Sequence, residues 1–246
     1  MAFYEERAGY LKPEECISQH LRLATKWGAD LRFEEPVLSW MASHSGDGIT
    51  VTTEKQTYQA SSLVLSVGSW FAEVVTGLSI PVAVSRRVMF WFKPVRDAAA
   101  FDAGAFPIFL WAPERGPLFY GFPRIGEASN PKVAIHSEGD ECTPSTIDRV
   151  IHPRDELAIR SAIESRIPAL NGEVIHASTC MYTMTPDEHF IVDAHPDFPQ
   201  VSLAAGFSGH GFKFSSVVGE ILSELATTRT ISSDISLFSG SRFVDC

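Results

Sequence analysis

The chain has 246 residues, of which 45% are hydrophobic and 20% are charged, values typical of a folded globular protein rather than a disordered one. Its formal net charge of −10 disfavours nucleic acid and anionic membranes as partners, because both surfaces are themselves negative. It contains no run of 18 uncharged apolar residues and does not begin like a signal peptide, so we expect a cytoplasmic protein.

The first eighty residues predict a helix followed by short strands. The helix opens at Pro13 and closes at Gly28, and its apolar stripe consists of Ile17, Leu21, Ala24 and Trp27. The following segments are rich in β-branched residues and separated by turns, and we predict strands at 30–34, 37–43, 49–53, 57–60 and 63–67. A glycine turn then leads into a predicted helix over 70–78.

Residues 81–140 have a different pattern, which alternates in the manner of antiparallel strands. Strands are predicted at 82–93, 108–111, 118–122 and 132–136. An amphipathic helix over 154–166 should turn Leu157, Ile159, Ala162 and Ile163 inward. A strand at 201–205 and a helix at 212–226 then return to α/β organisation. We therefore predict an antiparallel sheet with a helix, inserted into an α/β framework.

The connection between that last strand and helix is a three-glycine turn, Gly206-Phe-Ser-Gly-His-Gly-Phe-Lys. Gly206, Gly209 and Gly211 can adopt backbone angles closed to other residues and let a ligand approach main-chain N–H groups. The same pattern also fits a strand that must simply meet a helix tightly. Ser208 nearly matches the nucleophile turn of serine hydrolases, but His210 stands where that motif requires a second glycine.

Several side chains are candidates for chemistry, each with a plainer alternative. His210 is a possible general base or a residue that satisfies the turn, and Lys213 is a possible carboxylate clamp or a solvated lysine. The flanking phenylalanines suggest that the stem of Lys213 is embedded among apolar groups. Lys132 and His136 should share one face of a strand, directed either to a cleft or to water. Tyr120 is a possible hydrogen-bond donor or an ordinary sheet aromatic.

The four cysteines, at positions 16, 142, 180 and 246, are spread singly and show neither the pairs of a zinc site nor a disulfide framework. Cys16 has the spacing of a buried helix-face residue. Spacings of four, nine and six separate His176, Cys180, His189 and His195. No compact metal-ligand pattern has these spacings, so we expect no metal.

Two segments together carry a family resemblance: Cys180-Met-Tyr-Thr-Met-Thr-Pro-Asp-Glu-His-Phe-Ile-Val-Asp and Gly206-Phe-Ser-Gly-His-Gly-Phe-Lys-Phe-Ser-Ser. They resemble the monomeric sarcosine oxidase and N-methyl-L-tryptophan oxidase family, within the D-amino-acid-oxidase-like FAD-dependent amine oxidoreductases. The resemblance implies a glutathione-reductase-type FAD-binding domain (1–80 and 176–246) and an antiparallel-sheet substrate domain (81–175). It also implies a monomer that oxidises an N-methyl amino acid with O₂, releases hydrogen peroxide, and binds neither nucleic acid nor membrane.

The resemblance also implies roles for individual residues. Cys180 matches the cysteine that holds FAD through a thioether, and Lys213 matches a lysine that binds the substrate carboxylate. Lys132 matches the lysine that promotes oxygen reduction. The remaining matches are active-site residues, Tyr120, His136, Tyr182 and His210, and residues that border the cofactor, Val37, Gly206, Gly209, His210 and Gly211.

One part of the family pattern is not found in the 246 residues. No Gly-x-Gly-x-x-Gly motif follows an early hydrophobic strand, so the first βαβ unit of the FAD-binding domain is lacking. Two hypotheses follow. In the first, the chain is the carboxyl-terminal two-thirds of an oxidase and is inactive or impaired in this form. In the second, it is a non-catalytic remnant or interaction module without bound flavin.

Overall fold

The computed structural model describes residues 2–46, 48–126 and 129–243. In chain order, the elements of the first part are α1 (Pro13–Lys26), β1 (Val37–Ala42), β2 (Ile49–Thr53), β3 (Thr57–Ala60), β4 (Leu63–Leu65) and α2 (Phe71–Val74). The middle part contains β5 (Ala83–Phe92), β6 (Phe109–Trp111), β7 (Phe119–Phe122), β8 (Lys132–Ile135), β9 (Glu141–Cys142) and α3 (Pro153–Ile163). The last part contains β10 (Val174–Met184), β11 (Ile191–Ala194), β12 (Val201–Ala205) and α4 (Ser215–Thr227).

The chain divides into two compact units. Unit 1 contains the residues up to Tyr10 together with Ala83–Tyr182, and unit 2 contains Leu11–Val82 together with the residues from Thr183 onward. The sequence-based domain bounds differ from these at the first ten residues, at 81–82 and at 176–182. The mixed α/β fold class with antiparallel sheets is as predicted.

Unit 1 is built on one sheet with the strand order β10-β5-β8-β7-β6, with β9 paired to β5. Neighbouring side chains along a strand point to opposite faces, so the sheet has two distinct surfaces. One surface packs against α3 and is strongly apolar. Its fully buried members include Phe90, Phe92, Phe119 and Val133, and Ile159 and Ile163 of α3 pack against them. We call this surface the core face and the opposite one the site face.

The packing of α3 confirms most of the predicted apolar stripe. Ile159, Ala162 and Ile163 are buried against the sheet. The prediction for Leu157 was wrong, because its side chain is 67% exposed. At 100° per residue, position 157 lies about 200° around the helix from Ile159, so the two side chains cannot share one face.

Unit 2 contains two three-stranded sheets. Strands β1, β2 and β3 pair antiparallel, whereas β12 pairs antiparallel with β11 and parallel with β4. All five residues of β12 are buried, because one face packs on α4 and the other on a second apolar cluster that includes Ile49, Leu65 and Phe71. This central strand leads directly into the glycine turn.

Three predictions about unit 2 were wrong in detail. Residues 30–34 form no strand, and the helix expected over 70–78 is α over Phe71–Val74 only. The apolar stripe on α1 is not buried, because no described residue of this helix is buried. Cys16 is only half-buried, and Trp27 is 82% exposed. Amphipathic spacing states which side of a helix is apolar, but burial also requires a surface that packs against it. Cys246 lies outside the described residues.

Candidate functional site

The site face of unit 1 gathers most of the predicted chemical residues, and strand register explains how. Lys132 on β8 pairs with Trp91 on β5 and with Phe122 on β7, so the three side chains form one row across the sheet. The Lys132 Nζ lies 4.3 Å from the centre of the Phe122 ring and 5.9 Å from that of Trp91. Cation–π attraction therefore holds the ammonium group between two aromatic rings.

The next row contains Met89, Ala134 and Tyr120, with small Ala134 in the middle. His136 follows two residues later on the same face, with its ring centre 6.1 Å from that of Tyr120 and 5.5 Å from that of Tyr182. Lys132 and His136 therefore share a face, as their spacing suggested.

The phenol groups of Tyr120 and Tyr182 are close enough to influence each other's pKa. Burial, followed by the proximity of Tyr182, raises the pKa of Tyr120 well above its usual value. Burial also raises the pKa of Tyr182, although its interaction with Tyr120 acts in the opposite direction. Both phenols are therefore protonated at neutral pH and can act as hydrogen-bond donors.

Cys180 lies on β10, two residues before Tyr182, and is a free, half-buried thiol. Burial raises its pKa, while the positive charges of Arg87 and Lys132 oppose that increase. A thiolate is the reactive form of cysteine, so these two cations favour reactivity at a position where burial alone suppresses it.

Arg87 is a member of this cluster that our sequence analysis did not assign to the site. Its guanidinium carbon lies 5.0 Å from the centre of the Tyr182 ring, and its side chain is buried. Alternation along β5 was the available signal, since Arg87, Met89 and Trp91 must share a face whenever Phe90 and Phe92 face the core. The sequence did not show which face holds the site.

The glycine turn belongs to unit 2, and two of its glycines need their conformational freedom. Gly206 and Gly209 have positive φ angles of 61° and 79°, whereas Gly211 does not. A Cβ at Gly206 would collide with the Thr185 methyl group, and one at Gly211 would lie 2.5 Å from Phe207. Local packing thus accounts for part of the glycine pattern.

Ser208 has a structural role in this turn. Its Oγ accepts a hydrogen bond from the Thr185 backbone N–H at 3.3 Å and donates one to the Gly206 carbonyl at 3.1 Å. The side chain is 1% exposed and its φ is 49°. A hydroxyl engaged and enclosed in this way is poorly placed for nucleophilic attack on an ester, so the structure disfavours the hydrolase alternative.

The two basic residues of the turn occupy different environments. The His210 Nε2 donates to the Glu188 carbonyl at 3.0 Å, and the ring packs 4.8 Å from Phe190. Lys213 is exposed, so the expectation that neighbouring phenylalanines embed its stem was wrong. It lies in a 3₁₀ turn over Phe212–Phe214, and α4 begins only at Ser215. Val37, at the start of β1, is also exposed.

Each unit therefore holds a separate part of the predicted site. Unit 1 brings together Tyr120, Lys132, His136, Cys180 and Tyr182. Unit 2 holds Val37, Gly206, Gly209, His210, Gly211 and Lys213. Within the described part of the chain, no group of three or more histidine, cysteine, aspartate or glutamate side chains is placed to hold a metal ion.

Similarity to known proteins identifies the family. Residues 1–225 match the family described as FAD dependent oxidoreductase, and the chain belongs to that family. Monomeric sarcosine oxidase of Streptomyces avermitilis is 44% identical over 240 residues, which cover 97% of this chain and 62% of that protein. N-methyl-L-tryptophan oxidase of Salmonella heidelberg is 32% identical over 260 residues, which cover 99% of this chain and 63% of that protein.

Solved structures show the same fold at lower identity. L-proline dehydrogenase from P. horikoshii superposes with a TM-score of 0.78 at 21% identity, covering 95% of this chain and 60% of that one. The amino acid oxidase NikD superposes with a TM-score of 0.77 at 21% identity, covering 92% and 59%. The chain thus spans about 62% of the length of its curated relatives. No helix in the described ranges has the length and apolar character needed to cross a membrane.

Proposed function

We propose that the chain forms part of an FAD-dependent oxidase of N-methyl amino acids, of the sarcosine or N-methyltryptophan type. The observation that carries this proposal is the cluster on the site face of unit 1, where Tyr120, His136 and Tyr182 lie together. The relatives, a monomeric sarcosine oxidase and an N-methyl-L-tryptophan oxidase, support the choice of substrate class. We further propose that the protein acts as a monomer on small molecules and O₂.

Cys180 fits a covalent link to FAD. A thioether to the cofactor requires a free cysteine that can reach the thiolate form. Cys180 is free and half-buried, and the positive charges of Arg87 and Lys132 favour its thiolate by opposing the rise in pKa that burial causes. We therefore propose that Cys180 holds FAD covalently. The residues of unit 2 that would border the cofactor are Val37, Gly206, Gly209, His210 and Gly211.

Bound FAD would supply the chemistry that the side chains lack, namely acceptance of a hydride from the carbon beside the substrate nitrogen and two-electron reduction of O₂ to hydrogen peroxide; water would then split the resulting imine into an amine and formaldehyde. The protonated hydroxyls of Tyr120 and Tyr182 would orient the substrate, and His136 lies against both rings. The Lys132 ammonium would stabilise the negative charge that develops as oxygen is reduced. Lys213 would bind the substrate carboxylate.

We also propose that the chain of 246 residues, tested alone, oxidises its substrate slowly or not at all. The glycine motif that binds the pyrophosphate in dinucleotide-binding folds does not occur in this sequence. Without it, non-covalent affinity for the cofactor is reduced, and the covalent link at Cys180 becomes the main means of retention.

Absorbance of the purified chain after acid precipitation tests the cofactor assignment. A yellow pellet is expected from wild type and from Cys142→Ser, and a colourless one from Cys180→Ser. Cys142 is a matched control because it is another free, half-buried cysteine of unit 1. Peroxide release on sarcosine and on N-methyl-tryptophan tests the activity. Colourless wild-type protein that releases no peroxide would favour the non-catalytic hypothesis for this chain.

A further inference from the structure

Arg87 is a buried cation with neutral partners. Its side chain is 4% exposed, and no carboxylate of the described residues pairs with it. Its Nε donates to the His136 carbonyl at 3.2 Å, and its Nη1 donates to the Ser85 hydroxyl and to the Arg86 carbonyl. Among the described residues, no hydrogen bond uses its Nη2.

The neighbouring Arg86 shows what a compensated guanidinium is like on the same strand. It is equally buried, but it faces α3 and forms a bidentate pair with Asp155 at 3.0 and 2.9 Å. Two carbonyl groups complete its hydrogen bonds. Taking a charge out of water costs several kcal/mol unless a counter-charge is supplied. Arg86 has such a counter-charge, whereas Arg87 does not.

The surroundings of Arg87 are arranged around the guanidinium. A Cβ at Gly139 would collide with its Nη1, so a glycine at that position leaves the space that the group occupies. The Tyr182 ring covers one side of it at 5.0 Å. Burial lowers the pKa of Arg87, and among the described residues the only carboxylate that opposes this decrease is that of the exposed Glu138, whose effect is the smallest of the causes. An anionic ligand would remove this penalty.

We infer that Arg87 is an anion subsite on the site face of unit 1, and that it selects substrates with a second carboxylate, namely N-methyl derivatives of acidic amino acids. The inference rests on the proposed function, which already assigns the α-carboxylate to Lys213. The planar guanidinium with an unused nitrogen offers the geometry that carboxylates prefer.

The test measures binding of N-methyl-L-aspartate and of its neutral analogue N-methyl-L-asparagine to the purified chain, by calorimetry under nitrogen with any bound flavin reduced beforehand, so that the ligand is not oxidised. The wild type should bind the diacid on the order of tenfold more tightly, the size expected for a charge-assisted hydrogen bond. Arg87→Gln should abolish that preference, and Arg87→Lys should keep part of it. Arg154→Gln is the control, since Arg154 is an exposed arginine of unit 1 whose side chain is 66% accessible.

A purely structural role for Arg87 would change the stability of the variants but not the preference for the diacid. Equal affinities in the wild type, including no detectable binding of either compound, would overturn the inference, as would a preference that survives in Arg87→Gln. If Arg87→Gln does not fold, the wild-type comparison and Arg87→Lys still decide. Absence of peroxide release together with an intact preference would count against the proposed oxidase activity and leave the subsite standing.

Discussion

Replacing Asp155 by alanine should destabilise unit 1 more than any change of an exposed charge. The carboxylate accepts two hydrogen bonds from Arg86, and the accessible fractions of the two side chains are 4% for Arg86 and 10% for Asp155. Removing one partner of a buried pair leaves the other charge uncompensated, which costs about 3–5 kcal/mol. Asp155 also accepts the His152 backbone N–H at the start of α3, which adds about 1 kcal/mol.

Native-state hydrogen exchange is the suitable assay, because it reports separately on peptides of α3 and β5 in a chain with two units. Protection in those peptides should decrease by a free energy of about 4–6 kcal/mol, a large part of the about 5–15 kcal/mol that stabilises a typical domain. Arg154→Ala is the matched control, because Arg154 lies one residue before Asp155 in α3 and forms an exposed ion pair with Asp140. Loss of that pair should lower the free energy of unfolding by about 0–1 kcal/mol.

The same pair predicts how stability depends on pH. Burial alone would raise the pKa of Asp155, but the hydrogen bonds from Arg86 and from the His152 N–H outweigh it and lower the pKa below 3.8. The stabilising contribution is therefore complete above about pH 4 and is lost as the pH falls through the folded-state pKa. Two results would refute this reasoning. One is that Asp155→Ala loses no more protection than Arg154→Ala. The other is that the stabilities of the wild type and of Asp155→Ala decrease in parallel below pH 4.

Three further predictions concern other parts of the chain. Arg87→Gln should slow alkylation of Cys180 by iodoacetamide several-fold at pH 8, measured by peptide mass spectrometry, because a cation that favours the thiolate is removed; an unchanged rate contradicts it. Gly206→Ala should destabilise unit 2 by at least 1–2 kcal/mol in urea unfolding, since φ is 61° there. Phe92→Ala should lower the free energy of unfolding by about 3–5 kcal/mol, and Leu157→Ala should lower it by less than about 0.5 kcal/mol. Equal losses in the two variants would show that the core face is misassigned.

Local sequence signals predicted much of the fold. Alternation and turn residues located β5, β7 and β8, and helical spacing located α3, because each pattern directly reflects which side of an element is buried. Predictions that depended on a packing partner failed. The stripe of α1 is periodic but unburied, and the segment 30–34 is β-rich without a neighbouring strand to pair with.

The candidate site shows the same limit. Residues 132 and 136 are close in sequence, so their shared face followed from spacing. The contact between Arg87 and Tyr182 joins residues 95 positions apart, and no local pattern indicates it. The accessible Lys213 shows the opposite error, since neighbouring aromatic residues suggested a burial that the 3₁₀ turn does not provide.

The two-sided sheet of unit 1 has a consequence for how the chain tolerates variation. Along β5, Val88, Phe90 and Phe92 face α3, whereas Met89 and Trp91 face the proposed site. In a library that contains every single substitution of β5, changes at even positions should therefore reduce the amount of folded protein. Changes at odd positions should reduce ligand binding. The two tolerance profiles would be offset by one residue along a single strand, so an adaptive change of specificity can occur next to a residue that must not change.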